Sequence, residues 1–141
     1  MTEKTAVLGS TGSVGRQALD VCRHRNIKVT ALSAGSNISL LEEQIREFSP
    51  GLCAVADERA AADLAVRVAD TGTRIISGKN SAEVIASEAD ADTVLNSVSG
   101  IAGLRPTLAA IRAGKRLALA NKESLVTYGK VVMAEAERRG V

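Results

Sequence analysis

Aromatic side chains are nearly absent. Trp does not occur, and Phe48 and Tyr128 are the only aromatics in 141 residues. With 45% of its residues hydrophobic, the chain must pack its core from Val, Leu, Ile and Ala. That disfavours an aromatic-rich β-sandwich and favours a buried parallel sheet covered by helices. Histidine occurs once, as His24, and is read as the exposed end of a helix rather than a catalytic group. Cys22 and Cys53, the two cysteines, lie in apolar contexts without metal-ligand spacing and are read as small buried thiols. Asp90 and Asp92 read as helix-end and turn residues. No cluster of carboxylates, His and Cys has metal-ligand spacing, so no metal ligand and no catalytic residue is assigned in this chain.

Long apolar runs are also missing, so no segment is expected to span a bilayer. The first run, Ala6 to Leu8, is too short for a signal peptide. Net charge is +2 and the charges are mixed along the chain. Without a basic stripe and interleaved aromatics, nucleic acid is not an expected partner. These features fit a cytoplasmic location; the stroma of an organelle stays open, had an import segment been removed. There is no linker, repeat or low-complexity segment, so one domain over residues 1–141 is expected.

Short apolar runs alternate with longer amphipathic ones. Strands are expected at Thr5–Leu8, Ile27–Ser33, Leu52–Val55, Arg74–Ser77, Thr93–Asn96 and Arg116–Leu119. Helices are expected at Ser13–Arg23, from Ser39 to Phe48 before Pro50, and at Glu58–Ala69, Ser81–Ser87, Leu104–Ala113 and Lys122–Arg138. In the first, Val14, Ala18, Leu19 and Cys22 form the inward face; in the third, Ala61, Leu64, Ala65 and Val68 do. Sustained alternation predicts parallel strands joined by crossover helices. The fold class is α/β: a Rossmann-like, doubly wound, mostly parallel sheet with helices on both faces. Gly140 reads as a helix stop with a strand to follow, so the chain is expected to be one domain of something longer.

The segment GSTGSVG, Gly9 to Gly15, lies between the first strand and the first helix. Gly9 permits the turn out of the strand, Gly12 lets a pyrophosphate approach the backbone, and Gly15 lets the helix pack on the sheet. Free N–H groups at the helix start favour an anion, and Ser10, Thr11 and Ser13 add hydroxyl donors. No GK[ST] ending follows, which disfavours a nucleoside-triphosphate loop. A glycine turn that binds nothing is the competing reading.

The second strand runs into ALSAGSN, Ala31 to Asn37. NAD-specific folds place an acidic residue here to hold the ribose 2′-OH. This chain has no Asp or Glu between Asp20 and Glu42, so nothing repels a 2′-phosphate. Gly35, Ser36 and Asn37 can donate to it, which favours NADP(H); a plain polar loop is the alternative. Two later loops are expected at the same sheet edge. NSVSGIAG, Asn96 to Gly103, suits either a flat ring or an ordinary turn. In ALANKESLVTYGK, Asn121 and Glu123 are explained by helix capping. Lys122 is not, and a bound oxyanion would account for it; a solvated lysine is the alternative.

Together, LGSTGSVGRQALDV, ALSAGSN, EFSP and GIAGLRPTLAAIRAGKRLALANKESLVT resemble the 1-deoxy-D-xylulose 5-phosphate reductoisomerases, from about Val7 to Met133. The resemblance implies rearrangement of a phosphorylated sugar and its reduction by NADPH to 2-C-methyl-D-erythritol 4-phosphate, an isoprenoid precursor. It also implies Mg²⁺ or Mn²⁺ at the substrate, inhibition by fosmidomycin and a homodimeric full-length protein. By motif, Thr11, Gly12, Ser13 and Val14 would contact the NADPH pyrophosphate and neighbouring groups. Gly35, Ser36 and Asn37 would meet the 2′-phosphate, although many members carry lysine or glycine where Ser36 stands. Asn121 and Glu123 would lie along the cofactor, Lys122 would reach substrate, and Gly100 to Gly103 would line the nicotinamide end. The family's acidic metal motif, lid and C-terminal helical domain are expected beyond Val141, so this chain alone is expected to bind NADPH without turnover. A related reductase acting on another substrate and a non-catalytic NADP-binding module are the alternatives.

Overall fold

The computed structural model describes residues 3–98, 100–120 and 122–141. Six strands form one sheet: β1 Lys4–Leu8, β2 Lys28–Ala34, β3 Leu52–Val55, β4 Arg74–Ser77, β5 Thr93–Asn96 and β6 Arg116–Leu119. Their order is β4-β3-β2-β1-β5-β6, and every pairing is parallel. The expected mostly parallel sheet is therefore wholly parallel. Five helices join the strands, α1 Ser13–Arg25, α2 Ile38–Phe48, α3 Glu58–Arg67, α4 Ser81–Glu88 and α5 Leu104–Arg112, and α6 Lys122–Arg139 follows β6. A 3₁₀ turn, Ile101–Gly103, leads into α5.

The alternating strand residues feed two cores. On one face Val7, Leu32, Cys53 and Val55 meet Leu19 of α1, Leu41 and Ile45 of α2, and Leu64 of α3. On the other, Ala6, Ala31 and Ala54 make a shallow strip on three adjacent strands, against which Ile85 and Ala86 of α4 pack. Small side chains there let α4 lie close to β1, β2 and β3 on its way from the β4 edge to β5. The doubly wound fold with helices on both faces follows from these two layers. α6 packs on α5, where Glu135, only 8% exposed, takes ion pairs from Arg112, Arg138 and Arg139. Burial pushes the Glu135 carboxyl up, and the three arginines outweigh it, so its pKa lies below the usual range.

Several local expectations are corrected. Val14 is 45% exposed and Ala65 is also exposed, because each helix buries a narrower stripe than its apolar residues span. α2 starts before Ser39: the Asn37 side chain accepts the Leu40 N–H at 3.3 Å and caps the helix. α6 is interrupted at Tyr128, whose φ of −123° and ψ of 16° are not helical. Gly140 does end α6, with φ +69° and the Val141 N–H on the Ala136 carbonyl at 3.0 Å. His24 is exposed, its Nδ1 2.8 Å from the Asp20 carbonyl. Asp90 pairs with Lys4, and Asp92 accepts the Lys4 N–H at 3.1 Å, both beside β5. No helix among the described residues is long and apolar enough to cross a membrane.

Both cysteines are buried and free. Burial pushes the Cys53 thiol up to about 12 and raises that of Cys22, with a smaller contribution from Glu3. Thiolate, the reactive form, is thus scarce at neutral pH. Ellman's reagent should find neither thiol in the native protein and both after denaturation; rapid native labelling would contradict the packing described.

Candidate functional site

β1 pairs with β2 on one side and β5 on the other, so the strand order reverses there. In open parallel sheets this is where a crevice forms beyond the carboxyl ends of the strands. The first wall is the turn from β1 to α1. Gly9 has φ +76°, and the N–H groups of Gly9 and Ser10 reach the Ser33 carbonyl at 3.0 and 2.9 Å, tying the turn to β2. Gly12 donates back to the Gly9 carbonyl at 3.2 Å.

Ser10 is not a ligand donor. It is fully buried and its hydroxyl donates to Gln44 Oε1 at 2.8 Å, while Gln44 Nε2 donates to the Ser10 carbonyl at 2.9 Å. This reciprocal pair binds the turn to the middle of α2. The other expected residues stay accessible: Gly12, Ser13 and Val14 are exposed and Thr11 is half-buried. The Ser13 hydroxyl accepts from Gln17 Nε2 at 3.4 Å, which leaves its own proton available. Gly12 caps α1 without a side-chain bond and the first turn holds no acid. The N–H groups of Ser13, Val14 and Gly15 have no acceptor among the described residues. Three donors and the positive end of α1 thus open on one point, suited to an anion.

The glycines divide into two kinds. A Cβ on Gly15 would stand 2.0 Å from the Gly9 carbonyl oxygen, and one on Gly9 would stand 2.8 Å from Ser97 Oγ. Both are demanded by the protein's own packing. Gly12, at φ −79°, would place a Cβ an ordinary 3.6 Å from its nearest neighbour, and Gly35 would meet nothing within 4 Å. Nothing inside the fold requires glycine at those two positions, and both are exposed.

The second wall is the turn after β2, where Gly35, Ser36 and Asn37 are all exposed. The Asn37 side-chain oxygen is spent on capping α2, which leaves its amide group as the donor. No acid lies in the turn after β2, yet the fold brings one alongside. The Asp57 N–H donates to the Gly35 carbonyl at 3.0 Å, and the Asp57 carboxylate is held by the Ala60 N–H at 2.9 Å as the cap of α3.

The third wall is the loop after β5. Ser97 donates its hydroxyl to the Leu8 carbonyl at 2.7 Å, stitching this loop to β1. Asn96, fully buried, donates to the Gly103 carbonyl and to Thr107 Oγ1, both at 2.9 Å, and accepts the Val98 N–H at 3.1 Å. These bonds fix the 3₁₀ turn at the mouth of the crevice. A cleft of about 510 Å³ opens there, with Gly9, Ser33 and Ala34 among its lining residues. Ala56 and Lys79 border it from the β3 and β4 turns, and Ile101, Ala102 and Arg105 border it from the β5 side. Gln44, Ser97, Asn96, Asp57 and Lys79 were not singled out from sequence. Gln44, Ser97 and Lys79 owe their roles to segments far apart in the chain, as does the Asp57 N–H on Gly35. The bonds of Asn96 and the Asp57 cap are local, and a polar residue inside an otherwise apolar stretch, as at Gln44, was the other local hint.

Asn121 lies outside the described residues, as do the side chains of Lys122 and Glu123; the backbone from Lys122 onward forms α6. Among the described residues no three His, Cys, Asp or Glu side chains converge to hold a metal ion.

Over residues 5–129 the chain matches the family of 1-deoxy-D-xylulose 5-phosphate reductoisomerases. A curated protein of that name from Acetivibrio thermocellus is 50% identical over 141 residues, covering 100% of this chain and 37% of the relative. The counterpart from Ruminiclostridium cellulolyticum is 44% identical with the same coverage. Among solved structures, the Zymomonas mobilis reductoisomerase in complex with NADPH has a TM-score of 0.93 at 33% identity, covering 99% of this chain and 37% of that one. A reductoisomerase in complex with NADPH, fosmidomycin and magnesium has a TM-score of 0.91 at 38% identity, covering 98% of this chain and 35% of that one. The chain therefore spans little more than a third of the length of these relatives.

Two substitutions, and Gly72→Ala as a control, test how the site is held. Gly15→Ala forces backbone apart and should destabilise the protein by about 3 kcal/mol, whereas Gly72→Ala, with no neighbour within 4 Å, should stay within about 0.5 kcal/mol. Gln44→Leu leaves the Ser10 hydroxyl and carbonyl without this partner and should cost about 2 kcal/mol. Urea unfolding measures both, and a neutral Gly15→Ala would refute the close approach.

Proposed function

This chain belongs to the 1-deoxy-D-xylulose 5-phosphate reductoisomerase family, and from that premise we propose that it is the domain that holds NADPH for the family's reaction. The observation that carries the proposal is the set of unaccepted N–H groups on Ser13, Val14 and Gly15, beside a glycine at position 12 that the fold itself does not need. In this reading Thr11, Gly12, Ser13 and Val14 hold the pyrophosphate, which is bound by backbone donors and the dipole of α1. Gly35, Ser36 and Asn37 receive the adenosine 2′-phosphate. The Asp57 carboxylate does not compete for the ribose, because it caps α3.

Ile101 and Ala102 share a cleft with Ala34 and Ala56, so we assign them to the adenosine half. This moves them from the nicotinamide end expected of Gly100 to Gly103. Asn121 and Glu123 are assigned to the cofactor and Lys122 to the substrate on the strength of the NKES motif. NADPH supplies the hydride. The residues of this chain bind and orient it, and the walls around Gly9 and Ser97 keep the two turns in register.

The substrate of the whole protein is taken to be 1-deoxy-D-xylulose 5-phosphate, with a divalent metal, Mg²⁺ or Mn²⁺, assisting. On the strength of the family resemblance we assign the metal ligands to the part of the relatives' length that this chain does not span. By itself the chain binds NADPH and does not consume it.

Calorimetry should give binding of NADPH about tenfold or more tighter than NADH. Ser36→Asp should weaken NADPH by a further factor of about ten through like-charge repulsion, and NADH by less than about twofold. With 1-deoxy-D-xylulose 5-phosphate and Mg²⁺ present, absorbance at the NADPH band should not fall. Equal affinity for the two cofactors would defeat the specificity reading, and NADPH oxidation would defeat the non-turnover reading.

A further inference from the structure

The turn that meets the 2′-phosphate carries no cation of its own. Gly35 and Ser36 are uncharged, and Asn37 offers only an amide whose oxygen is already bound. An acid stands beside it, since Asp57 is bonded through its N–H to the Gly35 carbonyl at 3.0 Å. A positive charge from another part of the fold would strengthen the hold on a dianionic phosphate placed here.

We propose that Lys79, on the turn between β4 and α4, supplies that charge and is a residue that makes the site prefer NADPH over NADH. The proposal rests on the NADPH reading above. Lys79 borders the same cleft as Ala34, the residue before Gly35, and Ala56, the residue before Asp57. The strand ladder sets the distance. Ala56 donates to the Ala34 carbonyl at 3.0 Å and Gly78 donates to the Val55 carbonyl at 3.2 Å. The β4 turn thus lies two strands from the β2 turn, about 10 Å at ~4.8 Å per strand. The four-carbon stem of lysine together with a phosphate group covers that gap.

Lys79 is also available. It is exposed and forms no ion pair among the described residues, whereas Arg46 of α2 and Arg67 of α3 are tied to Asp70, Glu42 and Asp63. Arg59, in the first turn of α3, is also exposed but does not line the cleft. Two other charged groups line the cleft, Glu83 on α4 and Arg105 on α5. Glu83 lies in the first turn of α4, where the helix dipole favours it. Arg105 borders the cleft from the β5 side, with Ile101 and Ala102. It is therefore expected to act on the adenosine as a whole, without distinguishing the two cofactors.

The test compares NADPH and NADH by calorimetry on this chain and on Lys79→Ala, Lys79→Arg and Arg105→Ala. Lys79→Ala should weaken NADPH by about tenfold and leave NADH within about twofold. Lys79→Arg should restore most of the loss, and Arg105→Ala should change both cofactors by similar factors. Thermal melting checks that each variant is folded. A wild-type chain that prefers NADPH, with a Lys79→Ala variant that keeps the preference, overturns the role of Lys79 alone. Equal loss of both cofactors in Lys79→Ala overturns it too, reassigning the residue to adenine or ribose. A wild-type chain that binds neither cofactor overturns the NADPH reading and this inference together.

Discussion

The start of α1 rests against the carbonyl of Gly9, and the rest of the site depends on that contact. Only a hydrogen fits at position 15, since a methyl group would stand 2.0 Å from the oxygen. The contact fixes where α1 leaves the sheet and hence where its first N–H groups open. The same oxygen accepts the Gly12 N–H at 3.2 Å and lies 3.2 Å from the Ser97 hydroxyl. One backbone atom thus helps to tighten the turn, seat the helix and join β1 to the loop after β5. The crevice exists because these three requirements are met at the point where strand order reverses.

A buried polar network extends this control. Ser10 and Gln44 exchange two hydrogen bonds in the interior, where such bonds are strong and their loss is expensive. Gln44 sits on α2, and Asn37 caps the start of α2. The turn assigned to the pyrophosphate and the turn assigned to the 2′-phosphate are therefore mounted on one rigid piece. Asn96 performs a similar task on the far wall, holding Gly103, Thr107 and Val98 at once. None of these side chains needs to touch a ligand for the geometry to depend on it.

The fold was largely legible because its signals are local. β3, β4, β5 and β6 coincide with the apolar runs Leu52–Val55, Arg74–Ser77, Thr93–Asn96 and Arg116–Leu119, each bounded by turn residues. What failed was what depends on neighbours. Val14 and Ala65 satisfy helical periodicity yet face solvent, because no partner element covers that side. Ser10 reads as a donor in a phosphate turn, and only the packing of α2, 34 residues on, reveals that Gln44 has taken it. Asp57 is remote from Gly35 in sequence and adjacent in space, because β2 and β3 are paired. In the candidate site the glycines and exposed hydroxyls could be read ahead, since their chemistry is carried by the backbone turn that contains them. Lys79 could not, since its relevance comes from strand order.

The division among the glycines bears on why a sequence reader is drawn to such a segment at all. GSTGSVG presents three glycines that look equivalent, but two of them answer to the protein and one does not. Gly9 and Gly15 would remain necessary if no ligand ever bound, because a side chain at either would collide with Ser97 or with the Gly9 backbone. Gly12 has an ordinary φ of −79° and room for a methyl group. Its smallness is not required by the fold, and close approach of a ligand to the outer side of the turn would account for it. With Ser10 withdrawn into the core, the anion-binding capacity of the turn rests mainly on backbone N–H groups, which no substitution other than proline removes. A glycine spacing alone therefore establishes a strand-to-helix turn; a glycine that the fold does not need, next to donors without acceptors, is what argues for a ligand.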